Sequence, residues 1–366
     1  MIKVTITNDI LNSIIEIELN RYKISLVELS QNVLNKLRKN SKKKSSYASN
    51  KIEGNPLSEK QAEEVIESDE RKHYLKPEQG VRNYFLALNY LEEKLNNKEK
   101  LSKKLILDVQ KLVEKGAPKE KIGLRGPMPP GVLFAVYDSK TGKPDYIPPE
   151  YSDVPGLLDE LIEYVNTTDD HPLIVAAVVH YQLVTIHPFE DGNGRTARLL
   201  SGYIMDLNGY GFNGVGSLEE YFAYDADEYY DSIQMGLPAL YYSGRENPPH
   251  PEIWINYFLR MVKLYSRKVC DLQLSSEEED IAGSLSFLKE REKELLVLLI
   301  SNYRGEFTPM EVSKQLSVTN KTAINRLAVL AKNGFVIPIL VNKRIRSYKL
   351  SEFAINHERE IKEAVG

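Results

Sequence analysis

The sequence predicts a mostly α-helical protein with a β-hairpin near its middle and a winged helix-turn-helix-like module near its end. Apolar residues recur at helical spacing along most of the chain. Glycine and proline surround a short β-like run in residues 123–150, which is the pattern of a hairpin. After residue 281, three helical segments are followed by two β-like segments, which is the element order of a winged helix-turn-helix.

Changes in this pattern divide the chain into three parts. Residues 1–115 are predicted to be a helical N-terminal region, in which apolar side chains line one face of each long segment. Residues 116–272 are predicted to form a second domain, with the hairpin at 133–147 and helices at 155–166, 172–186, from 194 onward, 226–236 and 251–272. The polar run 275–280 is predicted to be a linker, and 281–355 is predicted to be the winged-helix-like domain.

The C-terminal module has a local excess of positive charge. Residues 303–350 contain nine Lys or Arg against two Glu, whereas the whole chain has a net charge of −4. Basic side chains lie on the presumed recognition helix 320–333 and on the presumed wing: Lys321 and Arg326, with Asn325 between them, and Lys343, Arg344 and Arg346. Such clustering is the usual electrostatic footprint of a DNA-binding module. Winged helices also dock proteins or dimerise, so both DNA and a homodimer remain candidate partners.

Composition excludes several other classes of protein. The chain has 366 residues, of which 42% are hydrophobic and 27% charged, as in an ordinary globular protein. The single cysteine, Cys270, excludes an internal disulfide framework and a cysteine-rich zinc site. We find no secretory signal at the N-terminus and no apolar stretch long enough to cross a membrane, and we therefore expect a cytoplasmic protein with no membrane partner.

The strongest chemical signal is the run His-Pro-Phe-Glu-Asp-Gly-Asn-Gly-Arg-Thr-Ala-Arg at 187–198. Pro188 breaks a buried helix, and we expect the next helix to start only after Gly192, Asn193 and Gly194. The two glycines allow left-handed backbone angles, so that successive N–H groups point into one anion-binding concavity. The N-terminus of the following helix adds its free N–H groups, which suits a phosphate.

The side chains around this concavity complete a site for phosphoryl or nucleotidyl transfer. Arg195 and Arg198 are three residues apart, share one helix face and can each bind phosphate oxygens through two hydrogen bonds. Asp191 offers the hard oxygen ligand that Mg²⁺ prefers. His187 can accept a proton from an attacking hydroxyl near neutral pH. His180, in the same buried helix, is predicted to be a core histidine whose hydrogen bonds are satisfied.

The run resembles, position for position, the signature His-Pro-Phe-x-(Asp/Glu)-Gly-Asn-(Gly/Lys)-Arg-x-x-Arg of the Fic family. The resemblance implies a helical Fic core over about residues 75–265 and transfer of AMP from Mg-ATP to Tyr, Thr or Ser hydroxyls of target proteins, including the enzyme itself. It makes His187 the base, Asp191 the Mg²⁺ ligand and residues 192–194 the phosphate nest, while Arg195 and Arg198 hold the phosphates. It also makes the hairpin a flap that binds the target, and places Tyr230 where its ring can stack on adenine.

A second segment resembles the inhibitory motif (Ser/Thr)-x-x-x-Glu-(Gly/Asn) of Fic proteins. Ser49 and Glu53 are four residues apart, on one face of a predicted helix at about 43–54, and Gly54 follows. The resemblance implies that Glu53 pairs with Arg198 and occupies the position of the ATP γ-phosphate. The basic residues between 36 and 44, just before this motif, are predicted to form a solvated face.

Other functions remain open at the level of sequence. The resemblance also admits removal of AMP from a modified target through Glu53, and transfer of UMP, phosphocholine or phosphate in place of AMP. A different class of protein, a DNA-binding regulator that senses nucleotide without turnover, would retain the fold. It would need neither His187 nor Asp191, so their presence favours the enzyme.

Overall fold

The structure, a computed structural model, describes residues 2–29, 31–68, 71, 73–137, 142–238, 248–341 and 344–365. The chain forms two compact units. The first comprises Met1–Tyr22 and Leu37–Val269, and the second comprises Lys23–Lys36 and Cys270–Gly366. Among the described residues, no helix is long and apolar enough to span a membrane.

The first unit is helical apart from one short hairpin, as the sequence predicts. Its helices are α1 (Asn8–Ser25) and α2 (Gln31–Ile52), which reach into the second unit, and α3 (Glu59–Glu67), α4 (Lys76–Asn96), α5 (Lys103–Val113), α6 (Val154–Thr167), α7 (Pro172–Ile186), α8 (Asn193–Leu207), α9 (Glu219–Tyr224) and α10 (Ala226–Gln234). Helix α11 (Pro251–Ser286) begins in this unit and ends in the second.

Helix α7 lies at the centre of the first unit because almost every one of its side chains is apolar and buried. It packs along α8, and the Ser201 hydroxyl of α8 donates to the Ala176 carbonyl at 2.8 Å. From the other side, the buried Trp254 indole of α11 donates to the Ala177 carbonyl at 2.8 Å. These bonds hold the N-terminal half of α7 in place, and His187 follows at its C-terminal end.

The predicted hairpin is present but shorter than expected. Strand β1 (Val136–Tyr137) pairs antiparallel with β2 (Pro144–Tyr146), and part of the connecting turn, residues 138–141, lies outside the described residues. The buried Tyr146 hydroxyl donates to the Thr185 carbonyl at 2.6 Å, which joins β2 to the last turn of α7. The hairpin therefore stands beside the segment that carries His187.

The basic residues of α2 form a solvated face only in part. Lys36, Lys39 and Lys44 are exposed, as expected. Lys43, in contrast, is 8% exposed and its ammonium contacts the carboxylates of Glu63 and Glu67 of α3, each at 2.6 Å. Lys42 is half-buried and pairs with Glu92 of α4 at 2.7 Å, so these two lysines join α2 to α3 and α4.

The second unit contains three helices followed by two paired strands, in the order that the sequence predicts. These are α12 (Glu290–Asn302), α13 (Pro309–Gln315), α14 (Asn320–Lys332), β3 (Val336–Val341) and β4 (Arg344–Leu350), after which α15 (Glu352–Asn356) and α16 (Glu358–Val365) end the chain. The strands pair antiparallel. A separate core of buried apolar residues, including Leu299, Leu327 and Phe335, holds these elements together.

The predicted linker at 275–280 is wrong, because α11 runs without interruption from Pro251 to Ser286. Two apolar residues beyond that run, Ile281 and Leu285, are buried in the C-terminal core and lie four residues apart on one helix face. The Ser275 hydroxyl donates to the Asp271 carbonyl at 2.9 Å inside the helix. Burial of this apolar face, together with the good helix propensity of glutamate, outweighs the local polarity.

Candidate active site

His187 follows the last residue of α7 and has left-handed backbone angles, with φ 48° and ψ 59°. Its Nδ1 lies 3.2 Å from the Val184 carbonyl oxygen, which can only accept a hydrogen bond. The proton of the neutral ring is therefore on Nδ1, and Nε2 carries the free lone pair. Burial lowers the pKa of His187 to about 4, so the imidazole is neutral at physiological pH.

The helix after the loop starts earlier than the sequence suggested. Helix α8 begins at Asn193, and of the two glycines only Gly192, at φ 82°, has left-handed angles. The reason is the Asn193 side chain, which accepts from the Phe189 N–H at 3.0 Å and donates to the Phe189 carbonyl at 2.9 Å. This pair closes the loop, and Gly194 joins the first helical turn.

The resulting helix N-terminus has no side-chain cap among the described residues. Its first N–H groups therefore face the loop without an intrahelical acceptor, which is the arrangement that binds anions. Asp191 stands at the edge, with its side chain 39% exposed, and accepts from the Gly192 N–H at 2.8 Å. Its second oxygen lies 3.9 Å from the Lys121 ammonium.

The two arginines of the run point to different partners. Arg195 donates to Glu114 at 2.8 Å and to Asp191 at 3.3 Å, and its buried Nε has no partner among the described residues. The Glu114 carboxylate is largely buried, and this burial raises its pKa although the charge of Arg195 opposes the shift. Arg195 is thus held beside the loop by two carboxylates, with one buried donor unpaired among the described residues.

Arg198 is buried and bound to the end of α2. Its Nη2 donates to Glu53 Oε1 at 2.6 Å and to the Ser49 carbonyl at 3.0 Å, and its Nε donates to the Ser49 hydroxyl at 2.8 Å. The Arg198 side chain is 1% exposed, whereas that of Glu53 is 35% exposed. The structure therefore brings Ser49 and Glu53 of the predicted inhibitory motif together with Arg198 of the signature run.

The Glu53 carboxylate also lies against the phosphate nest. A Cβ placed on Gly194 would sit 2.5 Å from Glu53 Oε1 and 3.2 Å from Arg198 Nη1. A side chain at position 194 therefore has no room while Glu53 is there. One carboxylate oxygen occupies the space in front of the first turn of α8.

A buried tyrosine links Arg198 to the interior. The Tyr229 hydroxyl lies 3.4 Å from Arg198 Nη1 and 2.8 Å from His180 Nε2. His180 is a core histidine as predicted, but it is only half satisfied, since its buried Nδ1 has no partner among the described residues. The aromatic rings around it leave no acceptor for that nitrogen, and burial lowers the pKa of His180 well below its usual value.

Tyr230, the predicted adenine contact, lies on α10 at the surface of the site. Its ring is 44% exposed and its centroid is 5.1 Å from that of Tyr229. Its hydroxyl donates to the Ile52 carbonyl at 3.4 Å, next to Glu53. The ring stands close to the predicted inhibitory segment, and stacking on adenine stays a prediction.

Three buried polar residues that the sequence did not single out also build the site. They are Glu114, which holds Arg195, and Gln110 and Arg125, which reach the loop from the segment before the flap. Each lies outside the signature run, and single polar residues within α5, at its end or before the flap carry no pattern in the sequence. The glycines and prolines of 123–131 predict only the approach to the hairpin.

Residues 99–205 match the family model described as Fic/DOC family. The chain contains a Fic/DOC domain. Curated relatives include protein adenylyltransferase fic-1 of Caenorhabditis elegans, 31% identical over 251 residues that cover 64% of this chain and 45% of the relative. Protein adenylyltransferase Fic of Drosophila virilis is 28% identical over 209 residues, which cover 54% of this chain and 39% of the relative. The chain thus spans less than half the length of these relatives.

Solved Fic structures share the fold. A Fic family protein from Desulfovibrio desulfuricans G20 has a TM-score of 0.60 at 21% identity, covering 96% of this chain and 98% of that one. A Fic domain containing signalling protein from Bacteroides thetaiotaomicron has a TM-score of 0.59 at 21% identity, covering 72% of this chain and 97% of that one. The residues of the signature run lie inside the matched Fic domain, whereas Ser49, Glu53 and Tyr230 lie outside it.

Proposed function

We propose that this chain is a protein adenylyltransferase that transfers AMP from Mg-ATP to a Tyr, Thr or Ser hydroxyl of a target protein. The observation that carries the proposal is the placement of a neutral His187 beside an uncapped helix N-terminus in a Fic domain. The names of the curated relatives support the reaction class. In the transfer, the hydroxyl oxygen forms a bond to the α-phosphorus, and the bond from that phosphorus to pyrophosphate breaks.

His187 is the group that removes the proton of the attacking hydroxyl. Because the Val184 carbonyl holds Nδ1–H, the lone pair of Nε2 is free to accept that proton. The free N–H groups at the start of α8 stabilise the negative charge on the phosphate oxygens. The Arg195 guanidinium lies beside the loop, where it contacts Asp191, and in the proposal it adds a charged donor to the phosphates.

The residues present fit both Mg²⁺ and a nucleotide phosphate. Asp191 offers a partly exposed carboxylate at the mouth of the nest, and Mg²⁺ commonly takes one or two carboxylates plus phosphate oxygens. The described residues contain no group of three or more metal-ligating side chains, which agrees with an ion that shares its ligands with the substrate. When bound, the ion would neutralise charge that builds on the phosphates.

We also propose that Glu53 inhibits the enzyme. Its carboxylate lies against Gly194 and binds Arg198, so it stands where an anionic phosphate would gain from both. An ATP that enters beside it has its α-phosphate displaced, and a misplacement of about 1 Å can lower the rate about a hundredfold. Ser49 supports the same state, because it binds Arg198 through both its hydroxyl and its carbonyl.

The test is transfer of label from α-labelled ATP with Mg²⁺ by wild type, Glu53→Gly and Glu53→Gly/His187→Ala. We expect label on the protein itself, strongest with Glu53→Gly and absent with the double variant. Glu64→Gln, a change at an exposed glutamate of α3, is the control for loss of a negative charge near the N-terminus and should leave the rate unchanged. Label that is equal with and without Glu53 would contradict inhibition.

The same assay separates the alternative reactions. Label from α-labelled UTP but not ATP would identify a UMP donor, and label from γ-labelled ATP alone would identify phosphate transfer. Loss of AMP from a pre-labelled target with wild type, but not with Glu53→Gly, would identify removal of AMP. No label from any donor in any variant would contradict the proposed enzyme.

A second candidate function, DNA binding, is favoured by the charge of the second unit. In the helix-turn-helix and strand segment 309–350, Glu311 is the one acidic residue of the sequence. Exposed cations follow the outer face of α14 and strand β4, and none has an ion-pair partner among the described residues: Lys321, Lys332, Arg344, Arg346 and Lys349. Arg326 is half-buried, and Lys343 lies outside the described residues.

We propose that this face binds duplex DNA through its phosphates. Binding of a labelled DNA duplex is measured by fluorescence anisotropy at several salt concentrations. The slope of the logarithm of the binding constant against the logarithm of the salt concentration should become shallower by about 2 in Arg344→Gln/Arg346→Gln, since each phosphate contact contributes about 0.9 to that slope. Arg359→Gln/Lys362→Gln is the matched control, because these cations of the same unit already pair with Glu363 and Glu358. No binding at low salt, with a dimer in native mass spectra, would favour a dimerisation surface instead.

A further inference from the structure

Arg125 is a buried arginine between the flap and the loop that carries His187. It is 5% exposed, and no carboxylate among the described residues lies within ion-pair distance of it. Its Nε donates to the His187 carbonyl at 2.8 Å, its guanidinium also donates to the Pro149 carbonyl, and its own N–H donates to the Pro188 carbonyl at 2.9 Å. The side chain thus joins backbone on both sides of the site.

The buried charge of Arg125 lowers the stability of the fold unless its hydrogen bonds offset the loss of hydration. Burial of a cation that has no ion-pair partner is unfavourable, and burial lowers the pKa of Arg125 although the charge of Glu150 opposes the shift. Hydrogen bonds from a charged donor are about twice as strong as neutral ones, which offsets part of the penalty. A neutral residue would fill the same space with less penalty, so the bonds to the two carbonyls are the function that distinguishes arginine here.

The residue that Arg125 holds is itself strained. His187 has φ 48°, and a non-glycine residue in the left-handed region is strained and needs support from its surroundings. Besides the bonds of His187 to the last turn of α7, two contacts from outside that helix supply the support. One is the bond from Arg125 to the His187 carbonyl, and the other is the ring of Phe134, whose centroid lies 5.9 Å from that of His187.

Phe134 and Pro149 connect these contacts to the flap. Phe134 precedes β1 and Pro149 follows β2, so both ends of the hairpin meet Arg125, whose guanidinium carbon lies 4.8 Å from the centre of the Phe134 ring. A cavity of about 230 Å³ borders the same residues and is lined by Met128, Leu133, Ile147 and Tyr151. A side chain that enters this cavity would touch the residues that hold His187.

A second buried residue fixes the other end of the segment. The Gln110 amide donates to the Lys121 carbonyl at 2.9 Å and to the Asp191 carbonyl at 3.4 Å. Its oxygen accepts from the Gly123 N–H at 3.1 Å. Residues 121–125 are therefore tied to both ends of the loop 187–191, at Asp191 through Gln110 and at His187 through Arg125.

We propose that Arg125 is the positioning residue of the base: it holds His187 in its strained backbone conformation and links that conformation to the flap. The proposal rests on the proposed function, since it takes His187 as the base. It implies that a target bound along the flap acts on the same contacts that orient the imidazole. Arg125 acts through His187 and touches neither nucleotide nor hydroxyl.

The experiment compares Arg125→Met and Arg125→Lys in the Glu53→Gly background, with Arg260→Met as matched control. Arg260 also lies over an aromatic ring, that of Tyr257 at 5.4 Å, but it has no contact with the His187 loop. We expect kcat for AMP transfer to fall about a hundredfold in Arg125→Met, with KM for ATP within about twofold, because a displaced base slows the chemical step. Arg125→Lys retains the charge and one bond, and should recover part of the rate.

A second readout does not depend on activity. In ¹⁵N-histidine-labelled protein, the midpoint of the NMR titration of His187 should lie near pH 4 and should move to higher pH in Arg125→Met. Backbone hydrogen exchange at 136–146 should accelerate in the same variant, together with that at 187–189. Unchanged titration and exchange in a folded Arg125→Met would overturn the proposal, as would a kcat within about twofold of the parent. If no variant transfers AMP but the titration and exchange do move, Arg125 still positions His187 and the proposed reaction is the part that fails.

Discussion

At the scale of single residues, the ion-pair partners of the two arginines define the site. Arg195 and Arg198 occupy one helix face in the sequence, yet Arg195 meets Glu114 and Arg198 meets Glu53. These partners come from α5 and from the end of α2, far away along the chain. The two arginines therefore have different roles in the proposal. Arg195 remains beside the phosphate nest, whereas Arg198 is bound by the segment that we propose to be inhibitory.

The acid limit of the reaction follows from the environment of His187. Its pKa is about 4 because the ring is buried, and a base with a lowered pKa stays able to accept a proton at every pH above that value. We expect kcat/KM of Glu53→Gly to stay level as pH falls from about 7.5 to 5.5, whereas a base of pKa about 6.5 would lose about 90% of its neutral form. Initial rates at constant ionic strength measure this, and a limb centred near 6.5 would contradict it.

Tyr230 provides a test of nucleotide recognition. Stacking of a base on an aromatic ring contributes about 1–3 kcal/mol, so Tyr230→Ala should raise KM for ATP about 5- to 160-fold with little change in kcat. Tyr224→Ala, at a tyrosine that is 93% exposed, is the control and should leave KM unchanged. A KM for ATP that is equal in both variants would remove Tyr230 from the binding site.

At the scale of elements, local composition was misleading where a distant core decided the outcome. The acidic and serine-rich run 275–280 is locally typical of a linker, but Ile281 and Leu285 extend α11 because they are buried in the second unit. The start of α8 at Asn193 has a similar explanation, since the Asn193 side chain bonds back to Phe189 and closes the loop. In both places a tertiary or medium-range contact overrode the pattern.

A proline substitution distinguishes a helix from a linker at Ser275. Within a helix, proline removes one hydrogen bond and clashes with the preceding turn, so Ser275→Pro should lower the free energy of unfolding by about 3 kcal/mol. Ser275→Ala should change it by only a few tenths of a kcal/mol, since the side chain is exposed. Urea unfolding measures both. A proline variant as stable as the alanine variant would restore the linker interpretation.

At the scale of the whole molecule, the chain has two cores. The first is built on α7, and the second contains Leu299, Leu327 and Phe335. Composition and length suggested more than one domain, and the order of helices and strands in the second unit was predicted closely. The proposed catalytic residues all belong to the first unit, and the proposed DNA-binding face belongs to the second.

Because the two cores are separate, a destabilising substitution in one core should reduce protection from hydrogen exchange in that unit alone. Leu299→Ala and Leu200→Ala each remove a fully buried side chain, one from each unit, and each should lower local stability by about 2–5 kcal/mol. Hydrogen exchange read by mass spectrometry should accelerate in 309–332 for the first variant and in 172–186 for the second. Acceleration of both segments in both variants would show that the two units unfold together.

The sequence alone determined the chemistry of the loop, because His187, Asp191, two glycines and two arginines stand within twelve consecutive residues. Local spacing also determined most helices and the two strands of the second unit. The inhibitory motif also predicted that Glu53 meets Arg198. Only the tertiary structure decided that Glu114 and Arg125 lie beside the loop, because they come from other segments of the chain and carry no pattern of their own. Sequence spacing carries information about residues a few positions apart, whereas contacts between distant segments depend on how the helices pack.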